Sequence, residues 1–331
     1  MSEQIKVEKK QNGFLLGLKE FLGSGLGSIT AALVIFIIFM CIATPKFYSQ
    51  NNIITVLRQA AAIGIMSCAI TPVVLCGKVD LSVGSILSLC ALMSVKMVEP
   101  LGLAAALILP LLTAIGCGLI NGAMVGIFDF HPFVATLATQ SLFQAAAFFY
   151  SNGAFLETKD VAWFSRIGKG SVGIIPIPII IFVVVFIIMY ILLNKTVFGR
   201  RVYMVGANPV CSKYTGISSP VTIIITYVIS AVATYISALI LATRQLAAQP
   251  EMGVGYEFDC LAAIVVGGTA LSGGKGNVVG TLFGVLFVTI VKNAFVLLEI
   301  SLYYQKIFLG LMLLAAVIVQ SLNERRSSHA K

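Results

Sequence analysis

Long stretches without a charged residue follow one another along most of the chain. The uncharged stretches of spanning length cover residues 21–45, 59–77, 100–128, 130–156, 170–194 and 214–243. Shorter ones cover 81–95, 260–274, 276–291 and 307–323. A helix needs roughly 20 apolar residues to cross the core of a bilayer, and in lipid a helix pairs its backbone amides within its own segment. The pattern therefore predicts an all-α, polytopic membrane protein.

We expect about ten transmembrane helices, with both termini inside the cell. The predicted spans lie near 28–44, 60–77, 81–98, 101–128, 132–150, 173–193, 218–243, 258–272, 277–298 and 303–322. This orientation places the larger share of the basic residues in the cytoplasm, as the positive-inside rule favours. The predicted organisation is a cytoplasmic tail (1–27), a transmembrane domain (28–322) with a cytoplasmic loop (194–217), and a second cytoplasmic tail (323–331).

Composition excludes an ordinary soluble domain. The chain has 331 residues, of which 59% are hydrophobic and 11% charged, whereas a soluble domain carries about 25% charged residues and needs them to cover its surface. The net charge is 22 − 13 = +9, but the sequence has no basic stripe with interleaved aromatic residues. The charge is therefore attributed to membrane topology rather than to nucleic-acid binding, and we expect a location in the bacterial plasma (inner) membrane.

Two places in the predicted membrane domain leave no room for an ordinary loop. The joint Gly77-Lys78-Val79-Asp80 is too short to emerge from the membrane, so a broken or re-entrant segment is expected near 77–85, and a second one near 267–280. Transporters place such breaks beside their substrate path. Candidate path residues are Asp80, Ser82, Ser85, Asn121 and Thr136. The alternative is that these side chains form satisfied hydrogen bonds between helices.

Small residues recur at a spacing of four. Gly118, Gly122 and Gly126 form one ladder, with Gly116 assigned to the same face, and Gly280-x3-Gly284 forms another. Such ladders let helices approach closely. We interpret both as contacts within one subunit, with a dimer seam as the alternative.

The residues needed for catalysis are missing. The chain has only His131 and His329, and its seven cysteines show no metal-binding spacing. The glycine-rich segment 267–276 is not a phosphate-binding loop, because Thr269 stands where that motif needs its first Gly and Gly276 where it needs Ser or Thr. We therefore expect no enzymatic activity, no cofactor and no metal site in this chain.

The loop 194–217 predicts a short helix on the cytoplasmic face. Asn208 can cap its start, Pro209 fits its first position and Gly216 can end it. A short surface helix suits docking into a groove on a soluble partner. The alternative is a loop that lies along the lipid surface.

Four blocks of sequence, in order, carry a family resemblance. They are GKVDLSVGS at 77–85, HPFVATL at 131–137, FGR through GAN to GI at 198–217, and GGTALSGGKG at 267–276 followed by GT at 280–281 and YYQ at 303–305. The chain resembles the permeases of bacterial ABC sugar importers of the ribose/xylose/arabinose type. Lys78 departs from the family, which has Gly there, and this leaves the role of the Asp80 block open.

The resemblance implies a non-catalytic subunit that forms the translocation pathway for a pentose, a hexose or a related furanose. It implies four kinds of partner: a second permease subunit, identical or related; an ATP-binding subunit with tandem nucleotide domains; an extracytoplasmic sugar-binding protein; and membrane lipid. The residues expected to couple the chain to the ATPase are Phe198, Gly199, Arg200, Gly206, Asn208, Pro209, Ser212 and Gly216.

Two other functions stay open on the residues alone. An ion-coupled secondary transporter needs an ionisable group inside the membrane, and Asp80 is the main candidate. A channel or structural membrane protein is the remaining alternative. The sequence does not identify the transported sugar.

Overall fold

The computed structural model describes residues 25–159 and 161–329, which form a bundle of helices with very little strand. The α-helices are α1 (Gly25–Ala43), α2 (Gln50–Leu75), α3 (Val83–Gly126), α4 (Pro132–Ser151), α5 (Ala162–Lys169), α6 (Ile177–Lys195), α7 (Val197–Ala207), α8 (Pro209–Tyr214), α9 (Ser219–Gln245), α10 (Tyr256–Val266), α11 (Val278–Leu297) and α12 (Leu302–His329). A 3₁₀ helix spans Pro45–Tyr48, and the strands are β1 (Leu156–Glu157), β2 (Ser171–Val172), β3 (Ile175–Pro176) and β4 (Ala247–Ala248).

Within these described ranges, five helices are long and apolar enough to cross a membrane: α2, α3, α6, α9 and α11. Two shorter apolar helices cover Gly27–Ala43 and Tyr303–Ala315. The fold is thus that of an all-α membrane protein, as the uncharged stretches predict. The predicted tail 1–27 falls mostly outside the described residues.

The 44-residue helix α3 is in fact two helices joined at a kink. Gly102 has φ 79° and ψ 175° there, a conformation that costs little only for glycine, and it follows Pro100, which removes a helical hydrogen bond. The break lies at the joint between the predicted third and fourth spans. The sequence-based separation of these two segments therefore agrees with the backbone.

Two helices have ends that differ from those of the predicted spans. The second helix begins at Gln50 rather than near residue 60, because Ser49 caps it and its side chain accepts the amide of Asn52. The helix at the predicted eighth span 258–272 is α10, which has only 11 residues. An 11-residue helix extends about 17 Å, less than the thickness of the hydrocarbon core. Turns with positive φ at Gly268, Gly273 and Gly274 replace its expected second half.

Glycines bring the central helices into backbone contact. A Cβ at Gly118 would lie 2.8 Å from the Val228 Cα, and a Cβ at Gly122 would lie 2.7 Å from the Ile224 Cα. The ladder of α3 therefore packs against α9 of the same chain, which confirms the contact within one subunit. Gly116 does not belong to this face, because a Cβ there would have no neighbour within 4 Å.

The bundle has two distinct ends. At one end, α7 and α8 follow α6 and precede α9. At the other end, β4 follows α9 and pairs with β1, with Leu156 opposite Ala248. We call the second the strand end. Since α9 has 27 residues, the two ends are about 40 Å apart along this helix.

Replacing Gly122 by Ala is expected to destabilise the fold, while Gly116→Ala is not. The Gly122 Cβ would press on the α9 backbone, and overpacking of this kind costs about 1–3 kcal/mol. Gly116→Ala adds a methyl group in open space and removes the entropic cost of a helical glycine, about 0.5–1 kcal/mol. Thermal unfolding of the two purified variants in detergent measures the difference. Equal melting temperatures would contradict the α3–α9 contact.

Candidate functional site

The segment between α2 and α3 is not helical, and a buried carboxylate organises it. Asp80 is 1% exposed. Its Oδ1 accepts hydrogen bonds from the Ser82 amide at 3.1 Å and the Ser82 hydroxyl at 2.7 Å. Its Oδ2 accepts the hydroxyl of Ser230 on α9 at 3.1 Å. The Asp80 side chain thus stabilises the non-helical segment and links it to α9 by a hydrogen bond.

Further hydrogen bonds extend this group. Asn121 Nδ2 on α3 donates to the Ser82 hydroxyl at 2.7 Å. The Ser85 hydroxyl donates to the Ser82 carbonyl at 2.8 Å, and the Tyr227 hydroxyl donates to the Val79 carbonyl at 2.8 Å. We call these residues the Asp80 cluster: Asp80, Ser82, Ser85, Asn121, Tyr227 and Ser230. Asn121 Oδ1 is the one buried side-chain oxygen of the cluster without a hydrogen-bond partner.

The structure brings four of the five predicted path residues together. Asp80, Ser82, Ser85 and Asn121 all belong to the cluster, and each is at most 1% exposed. Thr136 is buried elsewhere on α4 and donates to the carbonyl of Pro132 in its own helix at 2.8 Å. In this conformation the cluster has the bonding of a packed interhelical network, and its side chains do not line an open channel.

Lys78 does not form an ion pair with Asp80. Among the described residues the ion pair is Lys292–Asp259, while Lys78 is half-buried and Asp80 receives only the serine and amide donors. The substitution of Lys for the family's Gly at this position therefore leaves the hydrogen bonds of Asp80 with neutral partners.

Three segments meet at a second point, which we call the glycine junction: residues 75–77, 206–207 and 272–276. The Gly274 amide donates to the Leu75 carbonyl at 2.8 Å. A Cβ at Gly206 would collide with that carbonyl oxygen, and a Cβ at Gly273 would lie 2.7 Å from the Gly77 amide nitrogen. Only residues without a side chain allow the three backbones to approach this closely.

Tyr203 on α7 reinforces the glycine junction. Its hydroxyl donates to the Gly276 carbonyl at 2.9 Å. Burial raises the pKa of this phenol above its usual value, so the hydroxyl keeps its proton and remains a donor at physiological pH. The glycine-rich segment 267–276 is thus a turn that fits α7 against the break between α2 and α3.

The loop 194–217 contains two short helices, of which the second was predicted. The Asn208 side chain accepts the Cys211 amide at 3.0 Å, and Pro209 occupies the first turn of α8. Gly216, with φ 75°, follows its end. The first helix, α7, is capped by Thr196, whose hydroxyl accepts the Gly199 amide at 3.3 Å. Sequence reasoning had not separated α7 from the loop.

The predicted coupling residues divide into a buried and an exposed group. Gly199 is buried, and a Cβ there would collide with the carbonyl of Leu193. Ser212 is buried too, and its hydroxyl lies 3.0 Å from that of Ser219. The exposed members are Arg200, Asn208, Pro209 and Gly216, whereas Phe198 and Gly206 are half-buried. Val210 and Tyr214 on α8 are exposed as well, at 65% and 87%.

A third polar group was missed by the sequence analysis. Lys292 on α11 forms an ion pair with Asp259 on α10 and lies 5.9 Å from the centre of the Tyr256 ring. Arg244, in the last turn of α9, lines the same cavity as Tyr256 and Lys292. Lys292, Asp259 and Arg244 each border an uncharged stretch of the sequence. Ionisable residues at such positions often mark a functional site, so the sequence contained a signal for this group.

Comparison with known proteins identifies the family. The chain belongs to the family described as branched-chain amino acid transport system / permease component, whose model matches residues 52–317. The ribose import permease protein RbsC of Bacillus subtilis (strain 168) is 37% identical over 320 residues, which cover 96% of this chain and 98% of that protein. The chain is accordingly a multi-pass transport protein of the plasma membrane.

Other relatives are similar along most of their length. The ribose import permease protein RbsC of Haemophilus influenzae (strain Rd) is 37% identical over 297 residues, covering 88% of this chain and 91% of that protein. The D-allose transport system permease protein AlsC of Escherichia coli (strain K12) is 28% identical over 319 residues, covering 95% of each. No solved structure matches the chain.

Asp80→Ala is expected to lower the melting temperature by several degrees, and Asp80→Asn by much less. Alanine leaves buried hydroxyls of Ser82 and Ser230 without an acceptor, and each such loss costs about 1–3 kcal/mol. Asparagine keeps an acceptor at Oδ1 and can donate to Ser230 in return. Thr136→Val is the control, since its hydroxyl bonds only within α4. Equal destabilisation by Ala and Asn would mean that the charge of Asp80, not its hydrogen bonds, stabilises the break.

Gly206→Ala is expected to destabilise the protein by about 1–3 kcal/mol, because the new methyl group forces α7 away from Leu75 and Gly274. Met204→Ala on the same helix is the control: Met204 is 40% exposed, and exposed substitutions usually stay within about 0.5 kcal/mol. Thermal unfolding in detergent compares the two. A Gly206→Ala protein as stable as Met204→Ala would contradict the close contact at the glycine junction.

Proposed function

We propose that this chain is the permease subunit of an ATP-driven importer and forms the translocation pathway for a sugar, a pentose, a hexose or a related furanose. The observation that carries the proposal is the 37% identity to a ribose import permease over 96% of the chain. The similarity to a D-allose permease extends the substrate class to hexoses. A dedicated binding protein outside the membrane delivers the sugar, and ATP is hydrolysed on a separate subunit.

The proposed topology has ten spans with both termini in the cytoplasm. Counting the two halves of α3 separately and including the short α10, the segments are α1, α2, both halves of α3, α4, α6, α9, α10, α11 and α12. This order places α7 and α8 in the cytoplasm and the strand end outside. The described basic residues of the cytoplasmic loop, including Lys195, Arg200, Arg201 and Lys213, support this orientation.

Coupling to ATP hydrolysis would run through α7 and α8. The exposed side chains of Val210 and Tyr214 on α8 provide an apolar surface that a groove on the ATP-binding subunit can accept. Displacement of α7 would reach Leu75 through the glycine junction, since Gly206 and Gly274 abut its carbonyl. From there it reaches the break that Asp80 holds, and thereby α3 and α9.

A second permease subunit would complete the pathway, with lipid around both. Exposed apolar side chains on α6, such as Val183, Ile187 and Ile191, provide a surface for lipid or for that subunit. The Asp80 cluster lies beside the proposed path as its organiser. Its members contact sugar only if the α2–α3 break opens during the transport cycle.

Reconstitution tests the function. The chain, its ATP-binding subunit and its binding protein are expected to copurify in mild detergent and, in proteoliposomes, to import D-ribose or D-allose only when ATP is supplied. Uptake driven by a proton or sodium gradient without ATP would instead identify an ion-coupled secondary transporter. A variant with Asp80→Ala is expected to assemble with its partners and to lose uptake.

Gly216→Pro is expected to uncouple ATP hydrolysis from uptake. Gly216 has φ 75°, which proline cannot adopt because its ring fixes φ near −65°, so the turn after α8 must change. The measurement is the amount of sugar imported per ATP hydrolysed, which should fall at least fivefold. Gly173→Pro is the control, since Gly173 also has positive φ but lies in the β2–β3 turn on the other side. Equal effects of both variants would argue against a specific role for α8.

A further inference from the structure

A cavity with both polar and apolar walls opens near the strand end of the bundle, away from the Asp80 cluster. It has a volume of about 450 Å³, within the range of about 300–1,000 Å³ found for small-molecule sites. The polar residues that line it are Gln59 on α2, Arg244 and Gln245 on α9, Tyr256 on α10, Lys292 on α11 and Gln305 on α12. Arg244 is 14 residues beyond Ser230 on α9, so the cavity lies about 21 Å along that helix from the Asp80 cluster. We call it the arginine cavity.

Positive charge in the arginine cavity is only partly compensated. Lys292 pairs with Asp259. Arg244 makes no ion pair with any described residue, and it is close enough to Arg58 for the two charges to repel each other. Holding two guanidinium groups together in a half-buried site costs free energy unless other atoms accept their hydrogen bonds.

Unused hydrogen-bonding capacity accompanies this charge. Arg58 Nε is buried and has no acceptor, although a guanidinium offers five donors. Gln59 carries a donor and an acceptor on the same wall, and Gln305 uses one amide hydrogen on the Lys292 carbonyl, at 3.1 Å. Buried polar groups normally have partners, so the polar side chains of Arg244, Gln59 and Gln305 along the cavity wall point to a ligand rich in oxygen atoms.

We propose that the arginine cavity is the site at which the permease receives the neutral sugar from its binding protein, with Arg244 and Gln305 bonding to sugar hydroxyls and the Tyr256 ring contacting the sugar face. This inference rests on the proposed function, since it assigns the sugar to a place on the chain. Mixed donors and acceptors around an aromatic ring suit vicinal hydroxyl groups, which both donate and accept. The closed Asp80 cluster offers no comparable space.

The test is protection of an introduced cysteine. Gln59→Cys is made in a chain in which the two exposed native cysteines, Cys41 and Cys211, are replaced by Ser. The complete complex in proteoliposomes reacts with a maleimide during ATP turnover, with binding protein that is either sugar-free or loaded with D-ribose or D-allose, whichever the wild type imports. Loaded binding protein is expected to slow labelling of Cys at position 59 at least threefold relative to sugar-free binding protein.

Two matched controls separate the sugar from other effects. Trp163→Cys on α5 is 69% exposed in the wild type and lies outside the cavity, so its labelling should not depend on sugar. Arg244→Gln should lower uptake at least fivefold and abolish the protection at position 59, with the melting temperature unchanged. Arg166→Gln, which removes an exposed arginine of α5, should retain both.

Each remaining outcome has a defined meaning. Equal labelling with loaded and sugar-free binding protein, in a complex that imports sugar, overturns the arginine cavity as the sugar site. Stronger protection by D-ribose 5-phosphate than by D-ribose overturns the assignment of a neutral ligand. A wild-type complex without ATP-dependent uptake of either sugar contradicts the proposed function itself, and this result is independent of the labelling.

Discussion

Pairing of backbone groups where the helices stop is the constraint on which this structure depends. Two breaks, at 76–82 and 267–277, interrupt segments that lie among apolar helices, and an unpaired amide or carbonyl in such surroundings costs several kcal/mol. The first break is paired by Asp80, by Tyr227 and by the Gly274 amide. The second is paired by its own turn, in which Ala270 donates to Lys275, and by Tyr203. The backbone groups of the two breaks are therefore paired partly with each other and partly within each break.

This mutual pairing joins the two breaks and α7 by direct backbone contacts. The Leu75 carbonyl contacts one break through Gly274 and lies against α7 through Gly206. A close-packed contact transmits displacement because it has no free volume to absorb it. In the proposed coupling, motion of the loop 194–217 would reach the Asp80 cluster through this contact. The glycines that permit the contact would then take part in the proposed coupling, although none of them has a side chain that binds anything.

Much of the fold could be predicted from the sequence, because the length of an uncharged stretch determines whether it can cross a bilayer as a helix. The α8 cap at Asn208 and Pro209 and the breaks near 77–85 and 267–280 were also readable, since each depends on residues adjacent in sequence. The start of α2 was not, because Arg58 lies inside the helix with part of its side chain buried. The short α10 was not either, since the apolar residues that follow Val266 form turns around glycines with positive φ.

The candidate site was less readable, because its parts meet only in three dimensions. Polarity within apolar segments selected Asp80, Ser82, Ser85 and Asn121, and the structure adds Tyr227 and Ser230 from α9. Thr136 was selected by the same polarity rule, yet its hydroxyl bonds within its own helix. Polarity in an apolar helix thus does not distinguish a group that serves the fold from one that serves a ligand.

Unpaired hydrogen-bonding groups distinguish a polar site that binds a ligand from one that stabilises the fold. Asp80 accepts three hydrogen bonds and is closed to solvent, whereas Arg244 lines an open cavity and makes no ion pair with any described residue. A buried network that is nearly complete stabilises one conformation, and an incomplete one is stable only when something else completes it. The two polar centres are therefore assigned different roles: the Asp80 cluster joins the helices, and the arginine cavity is the proposed sugar site.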